Sequence, residues 1–295
     1  MFNLKEMRKY NTKKNRSLLI ALFTSFFLVH FSVNVFKVHC YTGTDSFGCP
    51  QYGVPEKFME LWKGEKKNIL KSYTCPPHGM DTILVTTTRE KTDLHEKIYQ
   101  FYTKRGFQVR FLIGSSDSPE TTYPHRFREN YIIGEFEDRY ENLHFKTFSA
   151  YQFVFFCYLQ NANIIFLDDD TFFDPFEKIA YAPITCGHQR FKSETTWKKP
   201  FGKYHLSNEV WPDDYRYPTY CGGPCTIVSA ATAEKLYHVA SEIELADFNM
   251  EDVLFTGVYR SFANIPEPAE NRKLCQHYSG DYNALISKYD SYLNI

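Results

Sequence analysis

From Asp81 onward, short apolar runs and longer amphipathic stretches alternate along the chain, with polar or glycine-containing turns between them. Thr82–Thr86 (TILVT) is a β-branched, apolar run of strand length, which reads as a buried strand. Lys91–Arg105 has helical spacing and stops at Gly106, a residue suited to the left-handed position that closes a helix. Phe107–Ile113 is a second strand, ended by Gly114-Ser115-Ser116-Asp117. Strand, helix and strand in this order predict a βαβ unit with a right-handed crossover. Tyr131-Ile132-Ile133 is a short strand, and Glu135–Thr147 opens a helix expected to run to about Gln160. Leu143, Phe148, Tyr151, Phe155 and Leu159 fall near one face of that helix and read as core. Asn163–Leu167 is a further buried strand, Tyr217–Ser229 joins a Pro/Gly turn to a strand, and Ala230–Glu242 is a helix. Glu251-Asp252-Val253 opens another helical segment, 186–217 is loop-rich, and the tail from Asn264 is expected to be irregular.

The N-terminal third follows different rules. Ser17–Phe36 is 20 residues without Asp, Glu, Lys or Arg; at 1.5 Å per residue it reaches about 30 Å, the thickness of a bilayer core. Residues 1–16 carry six Lys/Arg against Glu6, a charge of +5, which leaves −6 on the remainder of a chain whose net charge is −1. The basic flank is expected to stay cytosolic. The apolar run exceeds the core of a signal peptide and lacks a small-x-small cleavage site, which favours a signal anchor over a cleaved leader. The organisation expected is a cytosolic tail 1–16, a transmembrane segment 17–36, a lumenal stem 37–79 and a globular body 80–295. An acidic body offers no surface for a polyanion, so nucleic acid is excluded as a partner. All eight cysteines follow the apolar run, an even count that fits disulfides of open connectivity on the oxidising side of a membrane. Only Cys221 and Cys225 are closely spaced, which does not make a zinc site. The single Asn-x-Ser/Thr sequon, Asn15-Arg16-Ser17, lies on the cytosolic side and is expected to be unused.

The candidate chemistry sits in Asn163–Phe173, where an apolar strand runs into Asp168-Asp169-Asp170. Carboxylates at the carboxyl end of a strand lie where α/β sheets bind ligands. Three adjacent acids repel one another unless a cation compensates them, and hard divalent ions such as Mg²⁺ or Mn²⁺ prefer such oxygen ligands and bridge to substrate phosphates. A solvated acidic turn is the plainer reading of the triplet taken alone.

Four blocks in order resemble the β-1,3-galactosyltransferase family of inverting glycosyltransferases, which includes β-1,3-N-acetylglucosaminyltransferases and the Fringe enzymes. They are Glu135–Thr147 (EFEDRYENLHFKT), Asp168-Asp169-Asp170 with Phe172, Lys203–Ser207 (KYHLS) with Tyr217–Gly223 (YPTYCGG), and Glu251-Asp252-Val253 with Gly257. The resemblance covers about 81–280. It departs from the family at Phe166, where a Lys or His is usual, at Tyr204, where a Trp is usual, and in the absence of an Arg-rich first helix; Thr86-Thr87-Thr88-Arg89 is closer to the Fringe version.

The resemblance implies an α/β GT-A fold, with a Rossmann-like half and mixed sheet binding a nucleotide-sugar and another half binding an acceptor. It implies Mn²⁺ or Mg²⁺ held by Asp170 and a downstream histidine, for which His277 is suitably spaced, and Asp252 as the base. Thr86, Arg89, Lys146, Asp168, Asp169, Gly222 and Gly223 are the donor-binding candidates, with Lys146 and Arg89 directed at the diphosphate. The implied reaction moves galactose from UDP-galactose in β-1,3 linkage to a glycan on a glycoprotein or glycolipid, at the Golgi membrane with the catalytic part lumenal. UDP-N-acetylglucosamine is the alternative donor. A phosphatase of the haloacid-dehalogenase type fails by register, since Phe172 stands where Thr or Val is required. A non-catalytic lumenal glycan-binding relative would have no reason to keep Asp170, Asp252 and His277 together.

Overall fold

The computed structural model describes residues 51–52, 68–88, 92–115, 129–157, 159, 162–179, 182–192, 206–212, 215–242, 248 and 250–293. The expected tail 1–16, the span 17–36, Cys40, Cys49, Arg89 and Lys203-Tyr204-His205 lie outside the described residues. No helix among the described residues is long and apolar enough to cross a membrane. All elements below belong to the unit Tyr52–Ile295.

Leu70–Ser72 forms β1, within the stretch expected to be stem. Thr82–Thr86 is β2, Thr92–Thr103 is α1 and Gln108–Gly114 is β3. Gly106 adopts φ +85°, the left-handed closure expected of it. Tyr131–Gly134 is β4, Leu143–Phe156 is α2 and Asn163–Asp168 is β5. Thr171–Phe173 (β6), Ile184–Cys186 (β7), Gln189–Phe191 (β8), Tyr220–Gly222 (β9) and Cys225–Ser229 (β10) follow. Ala230–Glu242 is α3, as expected from its pattern. Ala269–Glu270 is β11, Cys275–His277 is β12 and Tyr282–Leu293 is α4.

The main sheet is mixed and eight-stranded, in the order β11-β7-β10-β5-β2-β3-β4-β1. Its centre, β5-β2-β3-β4, is parallel, and β10 pairs antiparallel with β5. The βαβ reading of β2-α1-β3 therefore holds. Successive strand residues feed opposite faces, as the two-residue period requires: Leu84 and Ile164 face the core under α2, α3 and Val253–Tyr259, while Ile83, Val85, Ile165 and Leu167 face the core under α1 and α4. Burial on both faces explains why the central strands read as continuous apolar runs.

Two expectations are corrected. The helix expected from Glu135 begins at Leu143, after a single 3₁₀ turn at Tyr140–Asn142. Polar side chains hold the preceding residues in another shape: Asn142 Nδ2 donates to the Glu137 carbonyl at 2.8 Å, and the Asp138 carboxylate is drawn to Lys146 Nζ at 2.5 Å. Such local bonds compete with helical ones. The tail is not irregular either. It carries β11, β12 and α4, whose Leu285 and Tyr289 are fully buried.

Among the described residues, three disulfides form: Cys75–Cys157, Cys186–Cys221 and Cys225–Cys275. The last joins β10 to β12 across 50 residues. Gly187 lies against it: a Cβ there would meet Cys225 Sγ at 2.5 Å and Cys275 Sγ at 2.8 Å. Sulfurs held by a covalent bridge cannot swing aside, so Gly187→Ala should destabilise the fold by about 1–3 kcal/mol. Gly223→Ala, whose Cβ would meet nothing within 4 Å, should be near neutral, and urea denaturation of both variants checks the contrast.

Candidate functional site

The site is assembled where β5 ends. Asp168 closes that strand opposite Thr86 of β2, and Asp169 and Asp170 turn the chain into β6. β6 pairs antiparallel with β12, placing His277 opposite Thr171, and the Tyr278 N–H donates to the Asp170 carbonyl at 2.9 Å. His277 Nε2 consequently stands 3.2 Å from Asp170 Oδ2, although 107 residues separate the two in sequence. Strand pairing and the Cys225–Cys275 bridge together position this pair.

Across the site, Glu251-Asp252 opens a helix that winds as a π-helix over Val253–Tyr259. Wide turns of this kind are often found at functional sites. Asp252 Oδ2 accepts the Gly223 N–H at 3.2 Å and Oδ1 accepts the Val253 N–H at 2.7 Å. Thr256 ties the helix to β9: its hydroxyl donates to the Asp252 carbonyl at 2.6 Å and accepts the Cys221 N–H at 2.9 Å. Burial pushes the Asp252 carboxyl above its ordinary range, against the opposing effect of the two N–H donors.

A cleft of about 780 Å³ holds these groups together. Asp168, Asp170, Asp252 and His277 line it, with Gly222 and Gly223 on its wall, and no Lys or Arg among the described residues faces it. Asp168 shows the resulting strain in charge: burial first, then Asp170, Asp169 and Asp252, raise its carboxyl to about 7. With no Lys or Arg facing these carboxylates among the described residues, the Asp170–His277 pair at 3.2 Å offers two donors that a divalent ion could share, and no group of three or more His, Cys, Asp or Glu among the described residues gathers around one point.

The other expected site residues are placed differently. Asp169 is buried behind the turn, with Thr87 Oγ1 donating to Oδ2 at 2.6 Å and the Tyr282 hydroxyl of α4 donating to Oδ1 at 3.2 Å. The same Thr87 hydroxyl lies 2.7 Å from His95 Nε2, whose Nδ1 is 2.9 Å from the Tyr131 hydroxyl. Lys146 is buried as well, donating to the Thr87 carbonyl at 2.8 Å and pairing with Asp138; it does not line the cleft. Thr86 lines a small adjoining cavity of about 40 Å³, together with Phe166. Phe166 packs there against Tyr151 at 4.8 Å with the rings tilted by 31°, and Tyr151 stacks on Phe255 at 5.0 Å, so the residue that departs from the family pattern belongs to an aromatic floor. Arg89 lies outside the described residues. Sequence reasoning missed Thr87, His95 and Tyr282.

A family model described as Galactosyltransferase matches residues 94–269, which contain all four blocks behind the resemblance. Among curated proteins, the chain is 27% identical over 178 residues to Hydroxyproline O-galactosyltransferase GALT2 of Arabidopsis thaliana, covering 54% of this chain and 24% of that protein. It is 25% identical over 190 residues to Beta-1,3-galactosyltransferase 1 of Mus musculus, covering 58% of this chain and 57% of that protein; the Homo sapiens protein matches equally. The chain thus spans a quarter to just over half of the curated relatives it matches. Similar solved structures include a glycosyltransferase involved in the glycosylation of the major capsid of PBCV-1 (TM-score 0.34, 12% identity, 73% of this chain and 100% of that one), and a Drosophila β1,4-galactosyltransferase 7 variant in complex with manganese, UDP-Gal and xylobiose (TM-score 0.33, 11% identity, 70% and 73%).

Thr87→Val would remove the hydroxyl shared by Asp169 and His95. Loss of a buried hydrogen-bonding group of this kind should cost about 1–3 kcal/mol, read as a lowered urea midpoint with an unchanged slope. An unchanged midpoint would show that the buried chain does not hold the Asp169 turn.

Proposed function

The chain belongs to the galactosyltransferase family, and on that premise we propose that it is an inverting, metal-dependent hexosyltransferase of the GT-A fold. On this reading it moves galactose from UDP-galactose in β-1,3 linkage to a glycan acceptor, with Asp252 as the base. The observation that carries the reading is the shared cleft, with the Asp170–His277 pair at 3.2 Å and Asp252 held by two backbone N–H groups.

The residues divide the work by position. Asp170 and His277 would hold a Mn²⁺ or Mg²⁺ ion, which when bound acts as a Lewis acid toward the diphosphate leaving group. Asp168 adds negative charge to the same corner. Asp252 accepts the proton of the acceptor hydroxyl as its oxygen bonds to sugar C1, while the C1–O bond to the diphosphate breaks on the opposite side of the ring. A single displacement inverts the anomeric configuration. The N–H groups of Gly223 and Val253 fix the direction in which the carboxylate points, so it meets the hydroxyl without searching. Gly223, open on its Cβ side, leaves room for the sugar beside that base. The apolar run Ser17–Phe36 and its basic flank support a single-pass placement in the Golgi membrane with this cleft in the lumen.

Asp252→Asn should lower kcat by about 10²–10⁴-fold with little change in UDP affinity, measured by release of UDP from UDP-galactose in the presence of acceptor. Protonated Asp252 cannot accept a proton, and burial raises its carboxyl. Wild-type kcat should therefore fall as pH drops, with an acid limb above the ordinary carboxylate range, and EDTA should abolish turnover. Full activity in Asp252→Asn, or turnover indifferent to EDTA, would contradict the mechanism. A matched assay with UDP-N-acetylglucosamine separates the two donors.

A further inference from the structure

Gly222 is among the donor-binding candidates, yet the Phe191 ring occupies the space a Cβ would need there. β8 and β9 pair antiparallel, with Phe191 opposite Tyr220 and Gln189 opposite Gly222. The Phe191 and Tyr220 rings stack at 5.3 Å and 23°, and the Cys186–Cys221 bridge holds β9 to β7 beneath them. The absent side chain at Gly222 therefore lets an aromatic ring lie over the strand. Phe191 is only half-buried, and Phe191, Tyr220 and Gln189 all line the catalytic cleft. Tyr140, 41% exposed, lines it too.

This aromatic surface adjoins the base. Gly222, under the ring, is followed by Gly223, whose N–H holds Asp252 Oδ2 at 3.2 Å; consecutive Cα atoms are about 3.8 Å apart. Phe191 and Asp252 thus line one cleft, linked through the adjacent Gly222 and Gly223. The electron-rich face of an aromatic ring complements the positively polarised C–H groups on one side of a pyranose. Orientation then comes from a few polar groups at the edge of such an apolar patch, here Gln189 and Asp252.

We propose that Phe191 is the platform for the acceptor sugar: a pyranose stacks its C–H face on the ring and directs a hydroxyl to Asp252. The acceptor subsite lies at Phe191 on the β8–β9 side of the cleft, while the start of β8 adjoins the Asp170–His277 corner, the rings of His188 and His277 standing 5.8 Å apart. This assignment rests on the transferase reading of Asp252, while the stacking itself does not.

The test uses the full-length chain, UDP-galactose as donor, and methyl β-galactoside and methyl β-N-acetylglucosaminide as acceptors. Phe191→Ala should raise the KM for the acceptor it uses tenfold or more and shift the KM for UDP-galactose less than twofold. Phe191→Tyr, which keeps the ring face, should restore the acceptor KM. An unchanged acceptor KM in Phe191→Ala, a Tyr variant as impaired as the Ala variant, or a parallel rise in donor KM would overturn the platform. Saturation-transfer NMR of the two glycosides separates this proposal from the transferase reading, because it needs no turnover. A wild-type signal lost in Phe191→Ala supports the platform even where no sugar is transferred. Equal signals in both proteins, or none from either glycoside in the wild type, overturn it.

Discussion

The architecture of the site depends on one strand pairing. β6, the three residues that follow the acidic turn, is bonded antiparallel to β12 near the C-terminus. The Cys225–Cys275 bridge fixes the same strand to β10, which itself pairs with β5. His277 and Asp170, 107 residues apart, stand 3.2 Å from each other because both constraints act on β12. Closing a loop of this length costs conformational entropy that grows only slowly with length, and a bridge spanning 50 residues removes part of that cost from the unfolded chain. Gly187 packs against the two sulfurs, which makes a backbone glycine part of the support of the Asp170–His277 corner.

Electrostatics give the cleft its polarity. Along Asp168-Asp169-Asp170 the side chains alternate: the outer two line the cleft, while the middle one is buried and satisfied by Thr87 and Tyr282. The middle acid acts as an anchor for the turn, holding the outer two in place through hydrogen bonds that reach α4 on one side and His95 with Tyr131 on the other. Lys146, which could have neutralised the corner, is engaged by Asp138 and the Thr87 carbonyl. What remains facing the cleft is net negative charge beside an imidazole, opposite a carboxylate aimed by two N–H donors and a wall of aromatic rings. On the reading proposed here the first arrangement receives an ion and diphosphate, the second a proton and the third an acceptor sugar.

Much of this was legible in the sequence where local and global preferences agree. The β-branched runs of β2 and β5, the glycine closing α1 and the amphipathic α3 needed no tertiary information. The helix start at Leu143 was misread because Asp138 and Asn142 spend their side chains on Lys146 and the Glu137 carbonyl, partners that a one-dimensional pattern does not show. α4 was missed although the signal is present: Tyr282, Leu285, Ile286 and Tyr289 repeat at helical spacing, and Asp281 Oδ1 caps the Ala284 N–H at 3.1 Å. The burial of Asp169 could have been read from the two-residue alternation of a strand carried one step past its end. Phe191 over Gly222 could not, since the pairing of β8 with β9 joins residues 31 positions apart across a loop-rich stretch, with no periodicity to announce it.

The central claim is that Asp170 and His277 form one half of a divalent-cation site whose other half is a sugar nucleotide's diphosphate. Anomalous diffraction from crystals of the protein soaked with Mn²⁺ and UDP tests it most directly. The account predicts one manganese peak bonded to an Asp170 carboxylate oxygen, His277 Nε2 and both phosphates, with Asp252 across the cleft and not in contact with the ion. A manganese peak elsewhere, or UDP bound in the cleft with no metal between its phosphates and Asp170, would contradict it.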